Sequence, residues 1–387
     1  DCEKYLEDDP SVELPESIVR ANSILYDAKY NGTLKFHGLF SKDSTEVLCS
    51  AFSNDGTLLA SGHPGMVRLW DVQQKKMLRE YKAFGWVWAI SFSHDDKHFS
   101  AGSYNTTIQI YKVDREEETV IKKLGKVGNV TALDYSLNGK FLASGDGSGN
   151  INIFDPQSMA LIFSYELESQ SEIAYVGFTE LAKTFIVASR KGDVLYFDTN
   201  SWKIIKQLDP SKTTQKEYLL SIAFLKDSRR GIFSYNDEIW EINEKYETKL
   251  IKKFDSISMV PVSLRYIDEK LIAIGNVDGK LRLFDMEKNI FVHQESAHIG
   301  AITSFSVSND KKKIATASRT DNLFKVYSIS PFEKKYFVKG EGSFLSKDRK
   351  YLAKCSDDEI IISESGVDKK QTISLKKKKE DRCDGFA

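Results

Sequence analysis

Apolar and polar positions follow one recurring phrase along this chain. An apolar strand ends in an aromatic residue and serine, a polar turn follows, then a strand of small residues, a second turn, and an alternating strand ending in an aromatic residue and aspartate. The first copy occupies residues 47–53, 54–56, 58–62 and 66–71. Within its last strand Val67 and Leu69 alternate with polar neighbours, as Ile151 and Ile153 do two copies later. That two-residue period predicts β-strands with one face buried. Aligned on Phe52, the equivalent positions are Phe92, Tyr135, Phe178, Phe224, Tyr266, Val307 and Leu345, in steps of 40, 43, 43, 46, 42, 41 and 38. The third strands end at Trp70-Asp71, Tyr111-Lys112, Phe154-Asp155, Phe197-Asp198, Ile242-Asn243, Phe284-Asp285, Tyr327-Ser328 and Ser363-Glu364. Eight copies in phase predict a repeat architecture before any single strand is assigned.

Three stretches carry the pattern best: Ser61-Gly62 leading to Leu69-Trp70-Asp71, Ser144-Gly145 leading to Phe154-Asp155, and Asp278-Gly279 leading to Phe284-Asp285. They resemble the WD-repeat family, over about residues 24 to 365. The resemblance implies an all-β fold, a single closed β-propeller of four-stranded blades. Eight copies favour eight blades, with seven, the commoner number in that family, as the alternative. The resemblance also implies a buried framework in which His298 pairs with Asp321, joined by Asp278, Trp70 and Asp71. The departures are a missing Gly-His dipeptide, for which Ala297-His298 is the nearest substitute, and a single true Trp-Asp. Where the family's turn aspartate is replaced by Pro64, Asn105, Ser148 or Lys191, apolar packing is expected to compensate.

Before the first full copy, residues 24–27 and 31–36 map onto a third strand and the strand that follows it. An open strand edge invites aggregation, so the N-terminal strand is expected to complete the last blade. Residues 1–22, rich in Asp, Glu and Pro, are expected to form an extension, 23–365 the propeller, and 366–387 a solvated Lys-rich tail. The chain opens at Asp1 without Met, as a processed product or a piece of a larger polypeptide would.

Composition narrows the function classes. Lys and Arg number 55 against 56 for Asp and Glu, so no global field draws the chain to nucleic acid or anionic lipid. Nucleic acid is expected, if at all, only through the tail at Lys376-Lys377-Lys378-Lys379. The four cysteines form no CxxC pair, which argues against a disulfide framework or a cysteine zinc site. No apolar run reaches the roughly 18 residues needed to cross a bilayer as a helix. These features predict a soluble protein of the cytoplasm, with the nucleus as the alternative that a tetra-lysine signal would serve.

Candidate chemistry is sparse. His94 and His98 flank Asp95-Asp96, but they sit in the turn after Phe92-Ser93, where a polar hairpin accounts for them without a metal. Ser93-His94-Asp95 cannot form a catalytic relay from adjacent turn positions. Gly145, Gly147 and Gly149 lie between two strands rather than ahead of a helix, and are assigned to turns rather than to a phosphate cradle. No catalytic residue, metal ligand or cofactor is assigned. A propeller enzyme or small-ligand binder would need acidic or histidine ligands converging in the central channel, and none converge.

The remaining reading is binding. Residues flanking the first buried position of an inner strand should face one rim, which exposes Trp86 and Trp88 on either side of Val87 and places Tyr218 equivalently. The second rim position, before the turn aspartate, is His63, Tyr104, Arg190 and Tyr235. Trp, Tyr and Arg dominate interaction hot spots. A non-catalytic scaffold, a subunit contacting other proteins of a complex, is therefore expected, with a ribonucleoprotein-assembly factor using the basic tail as the alternative.

Overall fold

The computed structural model describes residues 34–41, 45–104, 106–115, 118–124, 128–179, 182–209, 219–225 and 228–329, and the backbone of short strands at 3–5, 29–30, 334–335, 337–339, 342–345, 351–355, 359–364 and 372–376. The chain divides into two compact units, Leu34–Ser330 and Asp1–Thr33 with Pro331–Ala387.

Leu34–Ser330 is an all-β propeller with one short 3-10 turn, Ile257–Met259, and no α-helix among the described residues. Its six sheets are five of four strands and one of six. The six-stranded sheet carries the first two copies of the repeat, joined through the long strands Leu58–Asp71 and Lys76–Phe92. Inner strands follow one another around a closed circle, and the Ser50 hydroxyl of the first copy meets Ser304 and Ser306 of the seventh at 3.0 Å.

Each part of the phrase has a physical task. The serine after the aligned aromatic builds the first hairpin turn: its hydroxyl donates to a carboxylate or amide oxygen two residues on, at 2.6 Å for Ser53–Asp55, 2.7 Å for Ser93–Asp95, 2.8 Å for Ser136–Asn138 and 2.6 Å for Ser308–Asp310. Such side-chain turns explain the Asp and Asn preference there. Asp95 is spent in this way, and among the described residues no three His, Cys, Asp or Glu side chains gather as metal ligands. The aromatic or aliphatic residue closing each third strand is core: Trp70, Tyr111, Phe154, Phe197, Ile242, Phe284 and Tyr327 are all buried.

The small residue ending the second strand sets the blade spacing. A Cβ on Gly62, Gly102, Gly145 or Gly275 would lie 2.8, 2.4, 2.3 or 2.9 Å from Val87, Val130, Ile173 or Ile302, the first buried residue of the next copy's inner strand. Ala188, Ser234 and Ala317 hold the equivalent places. Gly145 is thus a packing residue within Leu142–Asp146 rather than a turn residue, whereas Gly149, at φ +85°, fits the turn assignment. Gly145→Ala is expected to cost about 1–3 kcal/mol by overpacking. Urea unfolding of the variant would check this, and a parental midpoint would remove the packing role.

Two expectations need correction. The eight-bladed ring is not found: the eighth copy supplies Gly342–Leu345, Tyr351–Cys355 and Glu359–Glu364, which with Thr372–Lys376 form a sheet in the other compact unit. The N-terminal strand Leu34–Ser41 instead pairs antiparallel with Leu323–Ile329, from Leu34 opposite Ile329 to Ser41 opposite Phe324. It completes the seventh copy, not the eighth. The physical reason is a satisfied edge: with that ladder formed, the ring has no open third strand left to receive another copy.

The compact unit that holds the propeller is Leu34–Ser330. Glu3–Tyr5 lies within the expected extension and pairs with Phe337–Lys339, and Thr372–Lys376 lies within the expected tail and pairs with Glu359–Glu364. Lys377, Lys378 and Lys379 fall outside the described residues.

Candidate protein-interaction face

Because antiparallel strands alternate, inner-strand starts and the turns between second and third strands share one end of every sheet. The long strand Lys76–Phe92 crosses that end between the first and second copies. It bends at Gly85, whose φ of +87° an L-residue rarely adopts. The bend is fixed on both sides: the Phe84 amide donates to Gln109 Oε1 at 2.8 Å, and the Trp86 carbonyl accepts from Tyr104 N–H at 2.9 Å. Phe84, Trp86 and Tyr104 are left 50%, 45% and 52% exposed. A fixed backbone carrying exposed rings loses little entropy on binding.

Trp88 is half-buried behind them. Its ring lies 5.7 Å from Trp86, and the guanidinium of Arg319 sits 5.2 Å above it. Arg319 also reaches Glu46 at 3.9 Å. Cation–π contact and ion pair together tie the seventh, first and second copies at this rim. The Trp88 indole N–H is buried without a hydrogen-bond partner. Ile299 sits at the same end, 82% exposed, because its amide donates to Asp321 and turns the side chain outward. The sequence reading missed Phe84, Arg319 and Ile299; only their position relative to Trp86 and His298 in the repeat register marks them.

Other expected rim residues are placed differently. Tyr235 is fully buried, packed on Phe233 at 5.6 Å and within the core of the fourth and fifth copies. It follows the small residue Ser234 directly, where the neighbouring copy covers the position. Arg190 is spent within the ring: it meets Glu172 at 3.3 Å and donates to the carbonyls of Leu219 and Leu220 at 3.2 and 2.6 Å, stitching the fourth copy to the fifth. Tyr218 lies outside the described residues.

His63, also expected on the rim, is buried in a network. The Trp70 indole donates to Ser61 Oγ at 2.8 Å, Ser61 Oγ meets His63 Nε2 at 2.9 Å, and His63 Nδ1 meets the Glu46 carbonyl at 3.0 Å. A carbonyl only accepts, so Nδ1 carries the proton and the Ser61 hydroxyl donates to Nε2. Asp71 is not part of this chain of bonds; it accepts from the Gln74 amide at 2.6 Å in the next turn.

The seventh copy has the related arrangement. His298 Nδ1 lies 3.1 Å from both oxygens of Asp321, and Nε2 lies 2.9 Å from the Thr316 hydroxyl. In the sixth copy Asp278 pairs with buried Arg282 instead of a histidine, Nη2 to Oδ2 at 2.7 Å and Nη1 to Oδ1 at 3.0 Å. Burial raises the Asp278 pKa, but the two bonds from Arg282 and one from the Lys280 amide outweigh it and hold the carboxyl below its usual range. Copies lacking the turn aspartate do not rely on apolar packing alone. Asp146 accepts from the Ser148 and Asn150 amides in the third copy, and Asp193 accepts from Ser169 and Ser189 hydroxyls in the fourth.

The His298 pair makes a pH prediction. Burial lowers the His298 pKa below its ordinary 6.5; Asp321 opposes this and Lys325 reinforces it. His293 is lowered too, by burial, against Glu295. The unfolded chain then binds the proton more readily, so stability is complete above about pH 6.5 and falls as pH drops from there toward the folded pKa. Acidification from about pH 7.5 to 5.5 is expected to lower the melting temperature. The drop should shrink in His298→Gln/His293→Gln; an unchanged drop would assign it to other groups.

Comparison with known proteins agrees with this geometry. The family profile described as WD domain, G-beta repeat, matches residues 29–71, 75–112 and 119–155. Autophagy-related protein 16 of Arabidopsis thaliana is 23% identical over 254 residues, 65% of this chain and 48% of that protein. SEC12-like protein 2 of the same plant is 28% identical over 218 residues, 52% of each. WD repeat-containing protein 91 of Gallus gallus is 31% identical over 147 residues, 37% of this chain and 18% of that protein. The matched span covers about half or less of these relatives' own length. No helix of the described residues is long and apolar enough to cross a membrane.

Proposed function

Because the chain belongs to the WD-repeat β-propeller family, whose members generally mediate protein–protein interactions, we propose that it is a non-catalytic scaffold that holds other proteins of a complex. One observation carries the reading: Phe84, Trp86 and Tyr104 are exposed together on a backbone fixed by hydrogen bonds, at the strand end where the sheets present their turns. Exposed rings gathered in this way mark interaction sites more often than solvated surface. The names of the relatives point to different processes, so the shared property is the repeat and not one partner. Phe84, Trp86, Tyr104 and Ile299 form the proposed contact, with Trp88 and Arg319 supporting it from behind. The cytoplasm is the proposed compartment.

We read the six-stranded sheet as two blades joined edge to edge, which makes a ring of seven. Support comes from the seven equivalent buried residues from Trp70 to Tyr327 and the seven small residues from Gly62 to Ala317.

The test is comparative capture. Native chain and a Phe84→Ser/Trp86→Ser/Tyr104→Ser variant, both shown to be folded, are used as bait, and recovered proteins are quantified by mass spectrometry. A set of partners lost with the variant is expected. Identical recovery would move the contact off this rim.

A further inference from the structure

At the axis of the Leu34–Ser330 ring lies a cavity of about 330 Å³, at the end where the inner strands finish. The position just before the aligned aromatic is Ala51, Ser91, Asp134, Gly177, Ala223, Arg265 and Ser306 in turn, and five of the seven residues line this cavity. Five of the seven are small, and only Asp134 and Arg265 are charged.

Three other arginines of the ring with little exposure each hold a carboxylate. Arg68 pairs with Glu80 at 3.0 Å, Arg230 with Glu241 at 2.5 Å and Arg282 with Asp278 at 2.7 Å. Arg265 has no such carboxylate partner among the described residues; it makes one hydrogen bond, from Nη1 to the carbonyl of adjacent Leu264 at 2.7 Å. The surrounding strands enclose it enough that burial pulls its pKa below the ordinary value, with Tyr175 opposing. A guanidinium offers five N–H donors in a planar fork that fits carboxylate or phosphate oxygens bidentately. Enclosing that charge without a counter-ion is costly, and a bound anion removes the cost.

Two further groups shape the chamber. The Tyr175 phenol lines it, and burial, with Asp134 reinforcing and Arg265 opposing, pushes its pKa well above the ordinary value. It therefore stays an uncharged O–H donor at neutral pH. Asp134 directs one carboxylate oxygen to the Phe178 amide at 3.1 Å. Its negative charge on the same wall disfavours polyanions relative to a ligand with one anionic group.

We propose that the axial chamber binds a small oxyanion, a single carboxylate or phosphate group, held by Arg265 and the Tyr175 hydroxyl. The group belongs either to a free small molecule or to an acidic side chain of a bound protein. The cavity is at the small end of ligand-pocket volumes, which suits one such group rather than a nucleotide. This site is at the opposite strand end from Trp86 and stands independently of the scaffold reading.

The experiment uses the full chain at constant ionic strength, with chloride exchanged for inorganic phosphate or acetate, followed by melting temperature and calorimetric titration. A saturable rise with at least one anion is expected for the native chain and for Arg115→Gln, an exposed arginine far along the repeat. Arg265→Gln should lose it while melting no lower than the native chain without anion, because it removes an uncompensated charge. If Arg265→Gln does not fold, Tyr175→Phe gives the readout, as at least a threefold weaker affinity. The singly charged peptide acetyl-Gly-Glu-Gly-amide separates the sources: binding tighter than acetate assigns the group to a protein side chain, and equal or weaker binding assigns it to a free anion. Non-saturating responses, or equal responses in native and Arg265 variants, would overturn the site.

Discussion

A chain without residues 1–41 is expected to melt at least about 10 °C below the parent. The lost strand Leu34–Ser41 supplies the fourth strand of the seventh copy, and its removal exposes the edge of Leu323–Ile329. It also takes Leu34 and Phe40 from the core. Phe40 packs edge-on against Trp70 at 6.0 Å and Phe324 at 6.2 Å, so it joins the first copy to the seventh. Truncating a buried phenylalanine alone costs about 3–5 kcal/mol. Adding the lost ladder brings the deletion to about 5 kcal/mol or more, and about 2–4 °C per kcal/mol applies for a unit of this size. Phe40→Ala gives the intermediate point, a fall of roughly 6–20 °C on the same scale. Calorimetry distinguishes the outcomes. A deleted chain with the parental transition would mean that the ring closes without this strand.

That closure shows how far the repeat can be read from sequence. The alternation at Val67/Leu69 and Ile151/Ile153 fixed strand type, and the register through Phe52, Phe92 and Tyr135 located the inner strands, because both depend on local period alone. Which copy the N-terminal strand joins depends on competition between two edges of similar pattern, those of residues 323–329 and 359–364, and a period cannot rank them. Tyr235 and His63 failed for another reason. Both follow a small residue of the second strand, and whether that place is covered depends on the neighbouring copy's side chains, not on the strand's own pattern. Tyr104 lies one place further on, two residues beyond Gly102, and Trp86 just ahead of its inner strand; both sit beside the Gly85 bend, which carries them out of the packing. Arg265 went unremarked because a lone arginine in an inner strand has no sequence signature; only the ring places it at the axis, with no carboxylate among the described residues paired to it. The relation of His298 to Asp321 followed from the family resemblance, whereas the Trp70–Ser61–His63 chain uses a histidine two residues beyond the serine, on the same strand, where the family pattern does not put one.

Trp86→Ala is expected to weaken the principal partner by about 2 kcal/mol or more, roughly 30-fold in Kd, as truncation of a central aromatic hot spot commonly does. The ring is exposed and lies tilted against Trp88, so its removal deletes contact area without opening the core. Stability should therefore change by less than about 1 kcal/mol, since an exposed position leaves no cavity. Trp88→Ala supplies the contrast. Trp88 is half-buried beneath Arg319, so its loss should lower stability measurably and disturb the 5.2 Å cation–π contact as well as binding. Tyr104→Ala should fall between, because its backbone amide, which holds the Trp86 carbonyl, survives the substitution. Titration of the purified partner against the three variants, with urea midpoints measured alongside, separates the roles. Unchanged affinity in a folded Trp86→Ala chain would place the binding surface elsewhere on the ring, and a collapse of its urea midpoint would show the indole to be a packing residue that happens to reach solvent.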